Sequence, residues 1–430
     1  MRKFLPILLI FIAFNVQAQS ILTPEDAIKI AIKNNYDVLI ATNEATISKT
    51  NNTAGNAGML PNVSATGTQT LTQSNIRTQQ ANAGEVAYPN TSSVTTSAGL
   101  LLSWTVFDGG KMFITRKKLG EQEVLSESLL KEKILQTIYG STLAYYDVVK
   151  QKQQLAYINK VLEYNKERVK ILQIGYNSGL SSKTNMLQAK IDLNVAQENA
   201  INQQAVILSA KRALNLVLAR DSDELFDVVD SVSFQTIMPK DELLKKAFTS
   251  NTSIVNSQKL LSIAGLNAKE YNRLRWPKVS INAGYNMSLT DNTGSNVNFN
   301  HNYGPMVAAN IAIPLYQAGN NLRQVKIAQL QALSANCGLE SIRKQVYTQL
   351  INAYTQWENQ QKLLEIEREN AVLAKENLEI SIERLRLGQT TSLETRQAQQ
   401  SYEDSQTRLI NFQYNLKVAE TKIKQLVADL

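Results

Sequence analysis

Hydrophobic residues at alternating spacings of four and three predict a very long helix over about 109–175 and a return helix over 183–217. The seam comprises Ile158, Leu162, Asn165, Val169, Leu172 and Tyr176. No proline interrupts residues 111–174, and the spacing is that of a coiled coil with one polar slot. At 1.5 Å per residue the first helix would be roughly 100 Å long, which no compact domain can house.

The same pattern returns in the second half of the chain. A long helix is expected over 318–386, a turn over 387–392 and a return helix over 393–428. The second seam comprises Leu409, Phe412, Leu416, Ala419, Ile423 and Leu426. This recurrence indicates that one structural plan is used twice.

Matching landmarks place two repeats at 19–238 and 239–430. Ala31, Asn35 and Pro61 recur as Ala247, Asn251 and Pro277 at an offset of about 216 residues; Phe107, Gly110 and Gly179 recur as Tyr316, Gly319 and Gly388 at about 209. The first repeat therefore carries about seven extra residues between Thr70 and Ser97. Because this stretch is rich in Gln, Asn, Ser and Thr, we expect a polar loop there.

Alternating apolar and polar residues predict a strand hairpin in each repeat, over about 61–107 and 277–316. The apolar positions of the first hairpin include Val63, Ala65, Leu100, Leu102, Trp104 and Val106; those of the second include Val279, Ile281, Tyr285, Val307, Ala309 and Ile311. Each strand is expected to hold about 10 to 13 residues, enough to cross a bilayer when tilted.

A sheet in water would also alternate, so further signals are needed. The other face carries small and hydroxyl residues, the loops are polar, and aromatic residues cluster at the strand ends nearest the helices. These are Trp104, Phe107, Trp276 and Tyr316, and they are typical of a membrane-interface belt. Four strands cannot close a barrel and lipid does not tolerate open edges, so the barrel must be shared between chains.

The N-terminus has the features of a secretory signal peptide, with cleavage after about Ala18. Arg2 and Lys3 precede an apolar run from Phe4 to Phe14. A membrane anchor is the alternative, but the run is too short to span a hydrocarbon core of roughly 30 Å. No later stretch approaches 18 consecutive apolar residues, so any membrane crossing is expected to use strands.

Composition is compatible with many folds, but it argues against an internal disulfide and against a nucleic-acid-binding surface. The 430 residues are 43% hydrophobic, and loss of Arg2 and Lys3 lowers the formal charge from +8 to +6. Basic and acidic residues alternate along helix faces, which favours solvated surfaces over nucleic-acid binding. The single cysteine, Cys337, excludes an internal disulfide and is expected to be a buried, inert thiol.

Nothing in the sequence indicates an enzyme. The only histidine, His301, is expected in a hairpin loop, so a catalytic triad or a histidine metal cluster is excluded. The segment over 219–238 is acidic, with Asp221, Asp223, Glu224, Asp227 and Asp230. A calcium site is conceivable there, but the spacing of a calcium loop is absent and solvated turns are favoured. We expect no cofactor and no metal.

The order of elements and a set of short motifs resemble the TolC-type outer membrane efflux protein family. The motifs are Pro61-Asn-Val, Trp104-Thr-Val-Phe-Asp-Gly-Gly, Ala144-Tyr-Tyr-Asp, Tyr176-Asn-Ser-Gly-Leu-Ser-Ser, Ala213-Leu-Asn, Pro314-Leu-Tyr-Gln-Ala-Gly and Leu385-Arg-Leu-Gly-Gln-Thr-Thr-Ser-Leu-Glu. Each motif is weak alone, but their order and duplication cover essentially the whole mature chain.

The resemblance implies an α+β membrane protein that forms a homotrimer in the outer membrane of a Gram-negative bacterium. Four strands per chain would build a shared transmembrane β-barrel, continued by a long periplasmic α-helical coiled-coil barrel with residues 219–238 as its equatorial segment. Such a protein is the passive exit duct of a tripartite efflux or type I secretion system. Its partners would be a periplasmic adaptor protein and an inner-membrane transporter.

The resemblance also assigns roles to three groups of residues. Phe107, Gly109, Gly110, Tyr316 and Gly319 would form strand-helix junctions, and Trp104 and Trp276 would lie at the membrane interface. The turns over 176–182 and 387–392 would form the periplasmic tip that docks an adaptor, through Gly179, Leu180, Ser181, Ser182, Gly388, Gln389, Thr390 and Thr391. A glycine C-cap followed by a Ser or Thr N-cap explains the same turns as plain structure.

Acidic residues one turn beyond the tip ring the pore constriction in the family. Glu394 occupies such a position, whereas Gln397 and Asn185 replace the other acids. Three copies of Glu394 would attract cations to the axis, but the helix dipole alone also favours an acid in a first turn. A secreted or surface coiled-coil scaffold or adhesin is the rival interpretation, and it leaves the membrane-like hairpins without a purpose.

Overall fold

The computed structural model describes residues 21–80, 84–293 and 297–430. The predicted signal peptide lies outside these residues. The elements in order are β1 (Ile21–Leu22), α1 (Pro24–Asn34), α2 (Tyr36–Asn51), β2 (Asn62–Gln80), β3 (Gly84–Phe107), α3 (Lys111–Asn177), α4 (Lys183–Val217), β4 (Asp227–Val228), α5 (Lys240–Ser250), α6 (Thr252–Arg273), β5 (Lys278–Thr293), β6 (Phe299–Ala312), α7 (Asn320–Arg386) and α8 (Ser392–Leu426).

The chain divides into two compact units. The helical unit holds residues 21–40 together with Lys131–Asn251 and Gln345–Leu430, and the sheet unit holds Ala41–Leu130 and Thr252–Lys344. Within the described ranges, every helix is too short or too polar to cross a bilayer.

Four long helices dominate the helical unit. α3 and α7 each contain 67 residues, and α4 and α8 each contain 35. The buried stripe of α3 is Tyr157, Val161, Asn165, Arg168 and Leu172. The predicted seam was therefore partly wrong: Tyr176 is 40% exposed, because it lies in the last turn of α3, and an arginine occupies a buried position that the hydrophobic pattern passed over.

The sheet unit contains one antiparallel sheet in the order β2-β3-β5-β6. Its strands hold 19, 24, 16 and 14 residues, longer than expected. The polar loop predicted between Thr70 and Ser97 was wrong, because most of that stretch lies in β2 and β3, which pair from Asn62↔Ser103 to Gln80↔Gly84 with one irregularity. Threonine-rich segments pair well in sheets, so polarity alone did not indicate a loop.

The paired strands give the sheet two different faces. Cross-strand neighbours on one face are apolar, as in Leu102↔Ala283 and Trp104↔Ile281. On the other face hydroxyl groups meet across the strands: the Oγ atoms of Ser97 and Ser288 lie 3.2 Å apart, as do the Oγ1 atoms of Thr95 and Thr290. The alternation seen in the sequence is thus a physical division of the sheet.

His301 and Cys337 differ from their sequence expectations. His301 lies in β6 opposite Leu289 and beside Tyr303, not in a loop, because β6 begins at Phe299. Cys337 is exposed rather than buried. It falls between Ala335 and Leu339, and two residues along a helix turn a side chain to nearly the opposite face.

The core of the helical unit lies where β1 pairs in parallel with β4. The hydroxyl of Tyr145 donates to the carbonyl of Leu22 at 3.0 Å and accepts from the amide of Val229 at 3.1 Å. Burial raises the pKa of Tyr145 to about 12. The phenol is therefore a fixed neutral link between the N-terminal strand and the segment that follows α4.

The acidic segment after α4 is engaged by basic side chains. The Nζ of Lys152 lies 2.8 Å from a carboxylate oxygen of Asp227 and 2.7 Å from one of Asp230. Arg212 pairs with Asp223 at 2.9 Å. In the part of the chain that the structure describes, no cluster of three metal-ligating side chains is present.

Candidate functional site: the tip turns, the junctions and a buried arginine

The first tip turn joins α3 to α4 through a left-handed glycine. Gly179 has φ of +77°, which glycine adopts without strain. The amide of Leu180 donates to the carbonyl of Gly175 at 2.7 Å, and that of Gly179 to Tyr176 at 3.1 Å. This is the pattern of a Schellman cap, which satisfies the last carbonyls of a helix.

Ser182 then starts α4. Its hydroxyl accepts from the amide of Asn185 at 3.2 Å, which is the N-cap arrangement. The side chain of Leu180 stays 88% exposed. The turn therefore satisfies its own backbone and leaves an apolar side chain in solvent.

The second tip turn repeats this geometry between α7 and α8. Gly388 has φ of +71°, and the amide of Gln389 donates to the carbonyl of Arg384 at 2.8 Å. Thr391 is the N-cap and accepts from the amide of Glu394 at 3.1 Å. Leu387 and Leu393 flank the turn with exposed fractions of 61% and 73%.

A small apolar cluster lies above the turns. Leu172, Met186, Ala189 and Leu385 pack together from α3, α4 and α7. On its surface Arg386 pairs with Glu167 of α3. The C-terminal ends of α3 and α7 thus lie close together, next to both tip turns.

The three residues proposed for a constriction are all exposed, and each lies in the first turns of a return helix. Glu394 is held by its own turn, since its carboxylate accepts from the hydroxyl of Thr390. The backbone carbonyl of Gln397 accepts from the hydroxyl of Ser401 at 3.1 Å. Glu394 also lies in the first turn of α8, where the helix dipole favours a negatively charged side chain.

Sequence reasoning missed a buried polar cluster within the helical unit. The side chain of Arg168 in α3 is only 2% exposed. Its Nη1 donates to Gln399 Oε1 at 3.0 Å, and its Nη2 pairs with Asp192 of α4. Burial lowers the pKa of Arg168, and the nearby carboxylate of Asp192 opposes this shift. A guanidinium buried this deeply is tolerated only when paired.

The cluster continues along α8. Gln399 Nε2 donates to Asn165 Oδ1 at 3.2 Å and to Glu403 Oε1 at 2.9 Å, and Arg396 Nε lies 3.4 Å from Asp192. Burial raises the pKa of Glu403. These groups line a cavity of about 270 Å³. Arg168 lies three residues after Asn165 and four before Leu172, so the seam spacing itself could have indicated it.

At the strand-helix junction of the first repeat, two glycines have left-handed backbones. Gly109 has φ of +73° and Gly110 of +82°. A Cβ on Gly109 would lie 2.4 Å from the Cβ of Trp276 and 3.0 Å from the carbonyl oxygen of Arg273. Only glycine fits there.

The carboxylate of Asp108 accepts from the amide of Met112 at 3.0 Å and so caps α3. The indole of Trp104 donates to the carbonyl of Met59 at 3.0 Å. In the second repeat Gly319 has φ of +71°, and Tyr316 is 86% exposed.

Comparison with known proteins follows the same two-repeat division. Residues 27–220 and 243–429 match the family described as outer membrane efflux protein. Outer membrane protein TolC of Salmonella enteritidis is 24% identical over 345 residues, covering 78% of this chain and 69% of that protein. Outer membrane efflux protein BepC of Brucella suis is 22% identical over 328 residues, covering 76% of this chain and 70% of that protein.

Solved structures show the same fold. The CmeC outer membrane channel of Campylobacter jejuni superposes with a TM-score of 0.79 at 14% identity, over 94% of this chain and 85% of that one. The family match spans both repeats, and the fold carries the helix pairs and the four-stranded sheet in one chain. This chain therefore belongs to the TolC-type outer membrane efflux protein family, as its sequence motifs indicated.

Proposed function

We propose that the protein is the outer-membrane exit duct of a tripartite efflux or type I secretion system, conducting cargo passively from a periplasmic adaptor and an inner-membrane pump to the exterior. The two-faced sheet carries this proposal. Its strands hold 14 to 24 residues, above the 9 to 11 or so that cross a bilayer when tilted. One face is apolar and the other is lined by hydroxyl and amide groups, as a lipid-facing and a channel-facing surface require.

Three copies of the chain are proposed to share the barrel. β2 and β6 are the outer strands of the sheet, so within one chain each has one unpaired edge. Unpaired backbone groups cannot face hydrocarbon. Pairing of β6 with β2 of the next copy satisfies both edges, and three copies supply twelve strands, consistent with the family resemblance.

The tip turns are proposed to dock the adaptor and to close the duct. Exposed Leu180, Leu387 and Leu393 beside small hydroxyl residues offer apolar contact without bulk, which suits the approach of a partner helix. Three copies of Glu394 near the axis would give the closed end a negative charge that favours cations.

Topology is the direct test of this function. In a Cys337→Ser background, which removes the exposed native thiol, single cysteines at Thr78 and Ala87 in the first hairpin should react with an impermeant maleimide on whole cells. A matched cysteine at Ser181 in the first tip turn should react only after the outer membrane is broken. Labelling of Thr78→Cys only in broken cells would overturn the proposal.

A further inference from the structure

A cavity of about 610 Å³ lies in the sheet unit, where the strands meet the helices. Four segments enclose it: the turn after α2, the start of α3, the end of α6 and the residues that follow β6. Its volume falls within the range of about 300 to 1,000 Å³ that is typical of small-molecule sites. The cavity is therefore large enough to hold a ligand.

The strand residues of the cavity belong to the hydroxyl-lined face of the sheet. Thr105 of β3 and Lys278 of β5 both line the cavity. Thr105 pairs with Ser280, and Lys278 lies two residues before Ser280 in the same strand. Because side chains alternate along a strand, these residues share one face. The proposed function assigns that face to the channel, so the cavity lies at the channel-facing base of the sheet.

The two acidic residues that line the cavity are engaged by partners of their own. Glu270, with a side chain only 15% exposed, pairs with Lys118 and accepts from the hydroxyl of Thr115 at 2.9 Å. The carboxylate of Asp108 accepts from the amide of Met112 at 3.0 Å. The charge of Glu270 is thus compensated inside the protein, and that of Asp108 is directed at the start of α3.

The basic residues of the cavity are in excess. Lys111, Arg273 and Lys278 line it. Arg273 and Lys278 are exposed, and among the residues that the structure describes neither is paired with a carboxylate. The guanidinium carbon of Arg273 lies 6.0 Å from the centroid of the Trp276 ring, a cation–π arrangement that favours this position for the charge. The cavity therefore presents a net positive charge.

Apolar side chains form the rest of the wall. Leu274, Trp276, Ile313 and Pro314 line the cavity beside the basic groups. Trp276 and Ile313 are 52% and 56% exposed, so both offer apolar surface to a bound molecule. A wall of this kind with a few charged groups on one side suits a ligand that has an apolar body and one anionic group.

We propose that this cavity binds anionic amphiphiles, which are small molecules with a carboxylate, sulfonate or phosphate group on an apolar body. Arg273 and Lys278 hold the anionic group, and Trp276 and Ile313 contact the apolar body. The inference rests on the proposed exit duct and names a class of cargo for it.

The exposure of the two cations limits the strength of this binding. Water and salt screen an exposed charge, so the attraction of Arg273 and Lys278 for an anion is weak and depends on ionic strength. Weak binding is compatible with transport, because a molecule that passes through a channel must also leave its site.

The fluorescence of Trp276 can report whether the cavity is occupied. The chain has three tryptophans, so Trp104→Phe and Trp357→Phe together leave Trp276 as the only indole. In the full-length protein in an uncharged detergent, 4-bromobenzoate should quench this fluorescence saturably, because bromine quenches an indole on contact. The uncharged analogue 4-bromobenzamide should quench weakly and without saturation. Added NaCl should weaken the binding of the benzoate.

Substitutions of single basic residues test which charges hold the anion. Arg273→Gln and Lys278→Gln should each weaken the binding of 4-bromobenzoate roughly fivefold. Arg275→Gln is the matched control, since Arg275 is also exposed and adjacent to Trp276 in the chain but does not line the cavity. It should leave the binding unchanged. Equal quenching by the benzoate and the amide, or equal losses in the Arg273 and Arg275 variants, would overturn the site.

Single-channel conductance of the same protein in planar bilayers separates this inference from the proposed function. A conducting channel whose Trp276 fluorescence shows no saturable quenching would overturn the anion site and leave the exit duct intact. A protein that inserts without conductance would overturn the duct itself.

Discussion

The two repeats agree in their helices and differ in their strands. α3 and α7 have equal lengths, as do α4 and α8, yet β2 and β3 extend well beyond β5 and β6. β3 pairs with β5 only from Ser92 onward, and its earlier residues pair with β2 alone. A long helix is held at both ends and in register along its seam, so one inserted residue would rotate every later side chain.

The free end of a hairpin has no such constraint. Paired insertions lengthen both strands and keep every existing cross-strand pair in place. Length is therefore fixed where helices meet their partners and is free where the sheet ends.

The largest difference is expected at the equivalent positions Arg168 and Asn377. Arg168→Met removes the paired charge from Asp192 and Gln399 and should lower the free energy of unfolding by about 3 kcal/mol or more. Asn377→Met, at an exposed position of the single chain, should change it by less than about 1 kcal/mol. Denaturant unfolding of the helical signal in detergent measures both; equal effects would mean that the buried arginine has no structural role.

Substitutions at the strand-helix junctions should have the next largest effect on stability. Gly109→Ala adds a Cβ that collides with Trp276 at a left-handed backbone, and should cost about 3 kcal/mol. Its counterpart Ala318 already has φ of +51°, so Ala318→Gly should relieve strain and alter stability by about 1 kcal/mol or less. Yield of folded protein in outer membranes reports the first change, and unfolding reports the second.

Substitutions in the tip turns should show whether the turns act only as helix caps or are also needed for efflux. Gly179→Val and Gly388→Val force a branched side chain into a left-handed backbone, at a cost of roughly 1 to 2 kcal/mol in each turn, and should abolish efflux while the protein still inserts. The asparagine variants at both sites tolerate that backbone and should retain most efflux. Full efflux by both valine variants would show that the turns are caps and nothing more.

The pH dependence of stability should differ between Glu403 and a glutamine at that site. Burial, then Asp404 and Asp192, raises the pKa of Glu403, while the bond from Gln399 and the charge of Arg168 oppose the rise. A raised pKa in the folded state stabilises the fold at acidic pH, and that gain is lost as pH rises through the folded value.

Unfolding curves of wild type and Glu403→Gln should therefore diverge as pH falls from neutral toward the ordinary glutamate pKa of about 4.3. The wild type should gain stability toward acid relative to the variant. Parallel curves over this range would show that Glu403 titrates as an exposed carboxylate.

The smallest effect is expected at Glu394, because Asn185 and Gln397 leave the proposed ring with one acid per chain. Glu394→Gln should reduce cation selectivity of single channels in planar bilayers, seen as a smaller reversal potential in a salt gradient. Gln397→Asn is the matched neutral control. Equal reversal potentials for wild type and Glu394→Gln would leave only the helix-dipole role for this carboxylate.

The periodicity of the sequence predicted the secondary-structure elements that local residue patterns determine. The long helices, the two hairpins and the repeat follow from spacing alone, and the fold they predicted is confirmed. The prediction of a buried Cys337 was wrong and that of the α3 seam was partly wrong, because a helix has several faces and spacing alone did not say which face meets a partner. The prediction of a polar loop was wrong because hydroxyl residues occur both in solvent-exposed loops and in paired strands.

The spacing from Asn165 to Leu172 could have indicated a buried position at Arg168, but it could not have indicated the partners of the guanidinium, which lie far away in the chain. Asp192 and Gln399 reach it only when α4 and α8 pack against α3. The roles of the tip and of Glu394 stay predictions, since an isolated turn satisfies its own hydrogen bonds and does not reveal a partner.

Native mass spectrometry of the detergent-solubilised protein measures how many chains share the sheet. β2 and β6 are the outer strands of the sheet, and their unpaired edges require other copies of the chain if the sheet crosses a membrane. We expect a trimer that survives extraction as the dominant species. A stable, folded monomer as the dominant species would contradict it, because a four-stranded sheet alone cannot form a channel in a membrane.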